Sequence, residues 1–370
     1  MIKANQLTAN DVGPYHFMLS CDMGKKWTPP FESRNLYKIP LKDCIFETPY
    51  VSPFYHKATE SLLGIGFTHF LRDAGFNREG ETGNLSGTYK MEYYLRGMNP
   101  SGVLAMWNWD DHDFHPWEKA DLGDSAHIRL YPIQMHECED GTLLVPYYSA
   151  SPPYKVGTVK VKFDGKTFNV TDIGEAIGQD RPQGICEPSI VEFHGRYFMT
   201  IRSQYGLPEN HDGKMYHAVS LNGLGWTEVE PWRWDDGKTV ETEQTQQHWL
   251  KHKNELYLVY TRKSELSNGV FRSRAPLWIA KVDTDSLRLV RDSEKIVFPE
   301  NGARMGNFAT ANVSDDEAWI VTGEWLQQDI PGYEKGEPFY FDFDGNNGVG
   351  SRFNRIQYIG DLLLARIIFQ

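Results

Sequence analysis

The feature that most limits what this chain can fold into is a recurring pair of polar residues around an apolar run. A polar residue at a turn precedes a strand-like stretch, and a second polar residue follows eight positions on. The pairs are Asp140 with Tyr148, His194 with Arg202, Asn254 with Arg262 and Asp316 with Glu324, with a looser copy from Ser61 to His69. By antiparallel pairing the opposing strands start at Ile133, Glu187, Gln247 and Ala309. Self-similarity at a spacing of several tens of residues, built from strands rather than helices, predicts repeated four-stranded blades and hence an all-β propeller.

The sharpest copy is EPSIVEFHGRYFMTIR, Glu187 to Arg202. A His194-Gly195 turn between two β-rich runs is a tight-hairpin signal. A two-residue turn puts Glu187 opposite Arg202 at the open end of the hairpin, within side-chain reach. Such a carboxylate and guanidinium form either a buried ion pair that closes a blade or half of a site that grips an anion.

The blades follow in order. Residues 50–122 supply one, 127–175 the next and 184–234 a third, which contains the sharp hairpin. QTQQHWLKHKNELYLVYTR through EKIVFP makes the fourth, and NFATANVSDDEAWIVTGEWL with the C-terminal DLLLARIIF the fifth. FMLSCDMGKKW stands for an irregular first blade, so the expectation is one six-bladed domain over residues 1–370. Ring closure then requires the two chain ends to share a blade, because otherwise a sheet edge stays open.

Composition excludes several classes. A net charge of -12 argues against nucleic acid as partner, although a local arginine cluster still suits an acidic substrate. No stretch is apolar for long enough to span a bilayer as a helix. Met1 to Pro14 has no signal-peptide core, so the chain as given offers no export route; a leader already removed would leave the same text, and localisation stays open. Cys21, Cys44, Cys138 and Cys186 lack CxxC spacing and read as buried thiols rather than zinc or redox ligands, with a disulfide pair as the alternative. His112 and His115 with Asp111 and Asp113 read as a solvated outer turn rather than a metal site. DFDGNNG at Asp342 to Gly348 alternates oxygen ligands and glycines as calcium loops do, yet lacks a bidentate Glu, and reads as a turn. No cofactor is expected, calcium being the one ion considered. The polar loop from Arg72 to Thr88, with Asp73, has the length and composition of a functional loop.

Two stretches carry a family resemblance. Ser20, Asp22, Gly24 and Trp27 match the S-x-D-x-G-x-x-W pattern of the Asp box, and Ser220, Asn222, Gly223 and Trp226 form a shorter copy; both are scaffold turns. Together with EPSIVEFHGRYFMTIRS they resemble the sialidase (BNR-repeat) superfamily. The resemblance implies that Glu187 and Arg202 belong to an active site, that Asp73 is a candidate general acid, and that Tyr333 or Tyr340 is a candidate nucleophile. Where sialidases open with an Arg-Ile-Pro segment, this chain has YKIP, with Lys38 in the arginine place. The chain also resembles propeller lyases acting on uronic acids, which use arginines on the sugar carboxylate and a His or Tyr for the proton.

Inner-strand ends converge near a propeller's axis, so Arg202, Arg262, His69, Tyr148, Glu187, Gln247 and Glu324 are expected to line one funnel. Two guanidiniums clamp a carboxylate bidentately and stabilise an oxocarbenium-like or enolate state beside it. The expected roles are Glu187, His69, Tyr148 and Asp73 in catalysis, and Arg202, Arg262, Gln247, Glu324 and Arg274 in substrate binding, with a glycan as partner. Arg272 and Arg304, like Arg274, are read either as further carboxylate ligands or as surface ion pairs. A hydrolase releasing a terminal acidic sugar, a uronate lyase and a non-catalytic glycan-binding propeller are the three readings, since fold does not fix function.

Overall fold

The computed structural model describes residues 1–4, 16–36, 39–40, 45–72, 102–116, 118–122, 128–150, 152–179, 184–204, 213–326 and 361–369. Every long-range element among them is a strand; three-residue 3-10 turns are the helical content. No helix among the described residues is long and apolar enough to cross a membrane. The chain is an all-β propeller.

Among the described residues six sheets of three or more strands follow one another in chain order, and a two-stranded sheet, Ala303–Arg304 with Trp325–Leu326, lies beside the chain segment of the last. The first is small: Ile2–Ala4, His16–Met18 and Phe31–Glu32. The second pairs Ile45–His56 with Ser61–Arg72 and Gly102–Asn108. Leu143–Ser149 and Val156–Phe163 centre the third, and Ile185–Phe193, Arg196–Ser203 and Met215–Ser220 form the fourth. Gln247–His252, Glu255–Tyr260 and Leu277–Asp283 make the fifth. In the sixth, Phe308–Asn312 and Glu317–Gly323 take their third strand, Leu362–Ile368, from the end of the chain.

Alternating side chains on these strands bury one apolar layer between each successive pair of sheets. Leu63, Ile65 and Leu104 meet Leu130, Val145 and Val159 between the second and third sheets. Val191, Phe198 and Trp232 meet Trp249, Leu258 and Ala280 between the fourth and fifth. Each large side chain enclosed in this way contributes about 1.5–3 kcal/mol.

Ring closure differs from the sequence expectation. Among the described residues the two chain ends occupy separate sheets, and the seam between them is packed by side chains. Trp27 lies 6.2 Å from Trp319 of the sixth sheet, ring centre to ring centre, while Phe17 lies 5.3 Å from Phe114 of the second. Asp113, read from sequence as a solvated turn residue, is buried at that second seam. It accepts hydrogen bonds from Ser33 Oγ (2.5 Å) and the Arg34 amide (2.8 Å), which a buried carboxylate requires.

The third sheet also departs from the simple repeat. Ile133 does not start a strand; the inner edge is split into Ile128–Leu130 and His136–Glu137 by the turn Pro132–Gln134. That turn sends Gln134 across to the fifth and sixth sheets. Its amide accepts from Trp249 N (2.7 Å) and donates to Trp249 O (2.8 Å) and Thr310 Oγ1 (3.3 Å), standing in for a neighbouring strand.

Candidate active site

The inner strands Ile185–Phe193, Gln247–His252 and Phe308–Asn312 run in one direction, so their first residues and the last residues of their partners share one face. On that face stands the Glu187–Arg202 hairpin end. His194 (φ 51) and Gly195 (φ 74) both take left-handed backbone, the signature of a type I′ turn, and Phe193 pairs with Arg196 beside it. From there the register runs to Ser189 opposite Thr200 and then shifts, so that Cys186, not Glu187, is Arg202's backbone partner. Glu187 and Pro188 form a bulge, with Glu187 itself at φ 50. A non-glycine residue there costs about 1–3 kcal/mol unless its surroundings enforce it. The bulge still brings the Glu187 carboxylate onto Arg202 Nη1.

Arg202 is only 7% exposed. Burial works against its charge, but Glu187 more than offsets this and holds the guanidinium firmly protonated. Its Nε is buried and has no hydrogen-bond partner among the described residues. A buried guanidinium with an open donor is a costly arrangement, and an incoming oxygen anion would relieve it.

Beside this pair lies an arginine that the repeat pattern does not single out. Arg129 pairs with Tyr148 across the third sheet. Its Nη1 donates to the Tyr148 hydroxyl at 3.3 Å and its Nη2 to the Ala150 carbonyl at 3.1 Å. The guanidinium also lies 5.4 Å from the centre of the Tyr148 ring and 5.8 Å from that of Phe67. Burial pushes the Tyr148 phenol far above its ordinary range; Arg129 pulls the other way and Glu187 adds to the rise. Nothing in IRLYP separates Arg129 from an ordinary strand residue except a charge set between apolar neighbours.

A run of polar contacts carries the site into the next two sheets. Cys186 Sγ and Gln244 Nε2 both donate to Gln204 Oε1, at 3.4 and 2.5 Å. Arg274 donates to the Gln244 carbonyl at 3.5 Å and to Asn307 Oδ1 at 3.4 Å. Arg274 and Arg304 are buried, which removes the surface ion-pair reading for both. Next to Gln244, Glu243 has its carboxyl pushed up by burial, against the pull of Lys263, Arg272 and Arg274. Sequence reasoning passed over Glu243, whose position reads as a loop.

The other expected residues fall in several places. Gln247 is buried and accepts from Thr200 Oγ1 at 3.1 Å, tying the fourth sheet to the fifth. Arg262 forks onto Glu294, both contacts 2.7 Å, and lies 4.5 Å from the Trp278 ring centre. Glu294 leads into the outer strand Lys295–Phe298, so this guanidinium turns toward the blade's outer side and is already matched by a carboxylate. Glu324 accepts from Asn301 Nδ2 (2.6 Å) and the Asp361 amide (3.1 Å). His69 stands opposite Thr48 in the second sheet, and its side chain lies outside the described residues. Lys38, Asp73, Tyr333, Tyr340 and the Asp342–Gly348 stretch also lie outside them, as does Cys44. Among the described residues no three His, Cys, Asp or Glu side chains group as metal ligands; Cys21, Cys138 and Cys186 are free thiols, with Cys21 exposed.

No family model and no curated protein sequence matches the chain. Solved structures do. The Hadza microbial sialidase Hz136 superposes with a TM-score of 0.57 at 13% identity, covering 84% of this chain and 57% of its own. The structure "NanB plus Optactamide" gives 0.58 at 11%, over 96% and 63%, and Trypanosoma rangeli sialidase in complex with sialic acid gives 0.51 at 12%, over 86% and 48%. The chain thus spans about half to two thirds of the length of the sialidases it superposes on. At such identities the likeness is one of fold, and the chain is a sialidase-like β-propeller.

Proposed function

We propose that this propeller is a carbohydrate-active enzyme that cleaves a terminal acidic sugar from a glycan. The observation that carries the reading is Arg202, buried, paired on one side with Glu187 and with no partner for its Nε among the described residues. Arg202 and Arg274 would take the sugar carboxylate, since guanidinium forks match its planar oxygens. That grip holds the anomeric carbon toward the nucleophile, and the positive charge that grows there is met by the phenol oxygen of Tyr148 and the nearby Glu187 carboxylate. Tyr148 would attack the anomeric carbon as its phenol gives its proton to Glu187, burial keeping the phenol protonated until then; the bond to the aglycone oxygen breaks as that oxygen takes a proton, the role expected of Asp73, and water then hydrolyses the tyrosyl–sugar bond.

The contact between Arg129 and the Tyr148 hydroxyl favours a second reading, a uronate lyase. There Tyr148, as its phenolate, takes the C5 proton while an arginine neutralises the carboxylate and so stabilises the enolate, which then expels the C4 glycosyl oxygen as that oxygen is protonated, leaving the unsaturated uronate. The 4-methylumbelliferyl glycosides of N-acetylneuraminic acid and glucuronic acid, with a uronate polysaccharide followed by ultraviolet absorbance, separate the readings. Fluorescence release lowered at least ~100-fold by Glu187→Gln supports the hydrolase. Growth of absorbance from an unsaturated uronate supports the lyase. Binding without either signal contradicts both.

A further inference from the structure

Arg274 lies along the segment Met305–Asn307, which precedes the inner strand of the sixth sheet. Its carbonyl accepts from the Met305 amide at 2.6 Å, and its Nη1 reaches Asn307 Oδ1 at 3.4 Å. Between these two contacts sits Gly306. A Cβ added at Gly306 would stand 2.5 Å from Arg274 Cδ, 2.6 Å from Cγ and 2.8 Å from Nε, all closer than real Cβ contacts allow. Gly306 has no positive φ, so its backbone suits any residue and the demand for glycine is one of space. The backbone there has little freedom to yield. The buried Thr322 hydroxyl, with one proton to give, sits within donating distance of the carbonyls of Met305 (3.2 Å), Asn307 (3.3 Å) and Gly323 (3.4 Å), which ties it to the segment on either side of the glycine.

We infer that Gly306 is a positioning residue: its missing side chain is the slot through which the Arg274 stem passes, and it fixes where that guanidinium meets an acidic sugar. The inference rests on the reading of Arg274 as a carboxylate-binding residue. An alanine at 306 must displace the arginine and leave the pinned backbone in place. The consequence is specific to ligands with a carboxylate, because the chemistry elsewhere in the site is untouched.

The test is a double-mutant cycle of Gly306→Ala and Arg274→Ala in the full chain, read by thermal unfolding and by steady-state kinetics on 4-methylumbelliferyl N-acetylneuraminide and glucuronide. Gly306→Ala alone is expected to raise KM at least ~10-fold with kcat within about twofold. In the Arg274→Ala background, where the slot is vacant, it changes neither KM nor the transition temperature. Additive losses in that background overturn the inference and leave the reading of Arg274 standing. Coupled transition temperatures with an unchanged KM in both single variants contradict the reading, and the inference falls with it. Should Arg274→Ala fail to fold, protection of the transition by free glucuronic acid decides the matter: it is lost in Gly306→Ala if the slot positions the arginine, and retained if it does not.

Discussion

His248 is fully enclosed, with Nδ1 2.6 Å from Ser189 Oγ and Nε2 3.2 Å from Gln246 Oε1. Burial pushes its pKa down to about 3, so the folded chain holds it neutral. The unfolded chain protonates it near the ordinary histidine value of about 6.5. The stability this histidine supplies is therefore complete above that value and is lost as pH falls toward the folded pKa. Unfolding free energy should drop by about 2 kcal/mol from this residue between pH 7 and pH 5. Urea unfolding at the two pH values checks this, and His248→Gln should remove that part of the slope. The Glu187–Arg202 pair was legible at this scale because a two-residue turn fixes register over eight positions. The bulge at Glu187 was not, since nothing in Glu-Pro-Ser states that two residues will face one. Arg262 occupies the repeat position of Arg202, but Glu294, beside the outer strand of the same sheet, is its partner, and sequence spacing does not see a neighbour 32 residues away.

Turns fix the individual sheets, and two glycines show what each turn demands. Gly195 (φ +74) has nothing within 4 Å of an added Cβ, whereas Gly223 (φ +73) would set one 2.3 Å from Leu144 Cδ1 in the neighbouring sheet. Gly195→Ala should cost only the left-handed backbone, about 1–2 kcal/mol. Gly223→Ala should cost about 2–5 kcal/mol, since overpacking of about 1–3 kcal/mol adds to the same strain. Chemical denaturation of the two variants measures the difference. Strand positions were largely readable because apolar runs alternate and turn residues bracket them; EKIVFP and DLLLARIIF both take the strands expected. The third inner strand was misread at Ile133, where Pro132 removes a backbone donor and lets Gln134 turn to another sheet.

At the scale of the whole molecule, the ring brings side chains distant in sequence onto one face: Arg129 and Tyr148, Glu187 and Arg202, then Gln244, Arg274 and Asn307. Of these, the repeat spacing picks out Tyr148, Glu187 and Arg202, while Arg129, Gln244, Arg274 and Asn307 lie off it and Arg262, which lies on it, turns to Glu294. It could not say how the ring closes, because Trp27 meeting Trp319 is a contact between two ends that share no pattern. The proposed function requires the buried guanidinium of Arg202 to bind a sugar carboxylate. Arg202→Lys keeps a positive charge beside Glu187 but removes the planar fork. Turnover of the acidic 4-methylumbelliferyl glycosides by this variant, with the thermal transition recorded on the same samples, is the direct test. The expected result is a fall of at least ~100-fold with the transition within a few degrees of the parent. Unchanged turnover of the acidic glycosides, or turnover confined to neutral sugars in the parent chain, would contradict it.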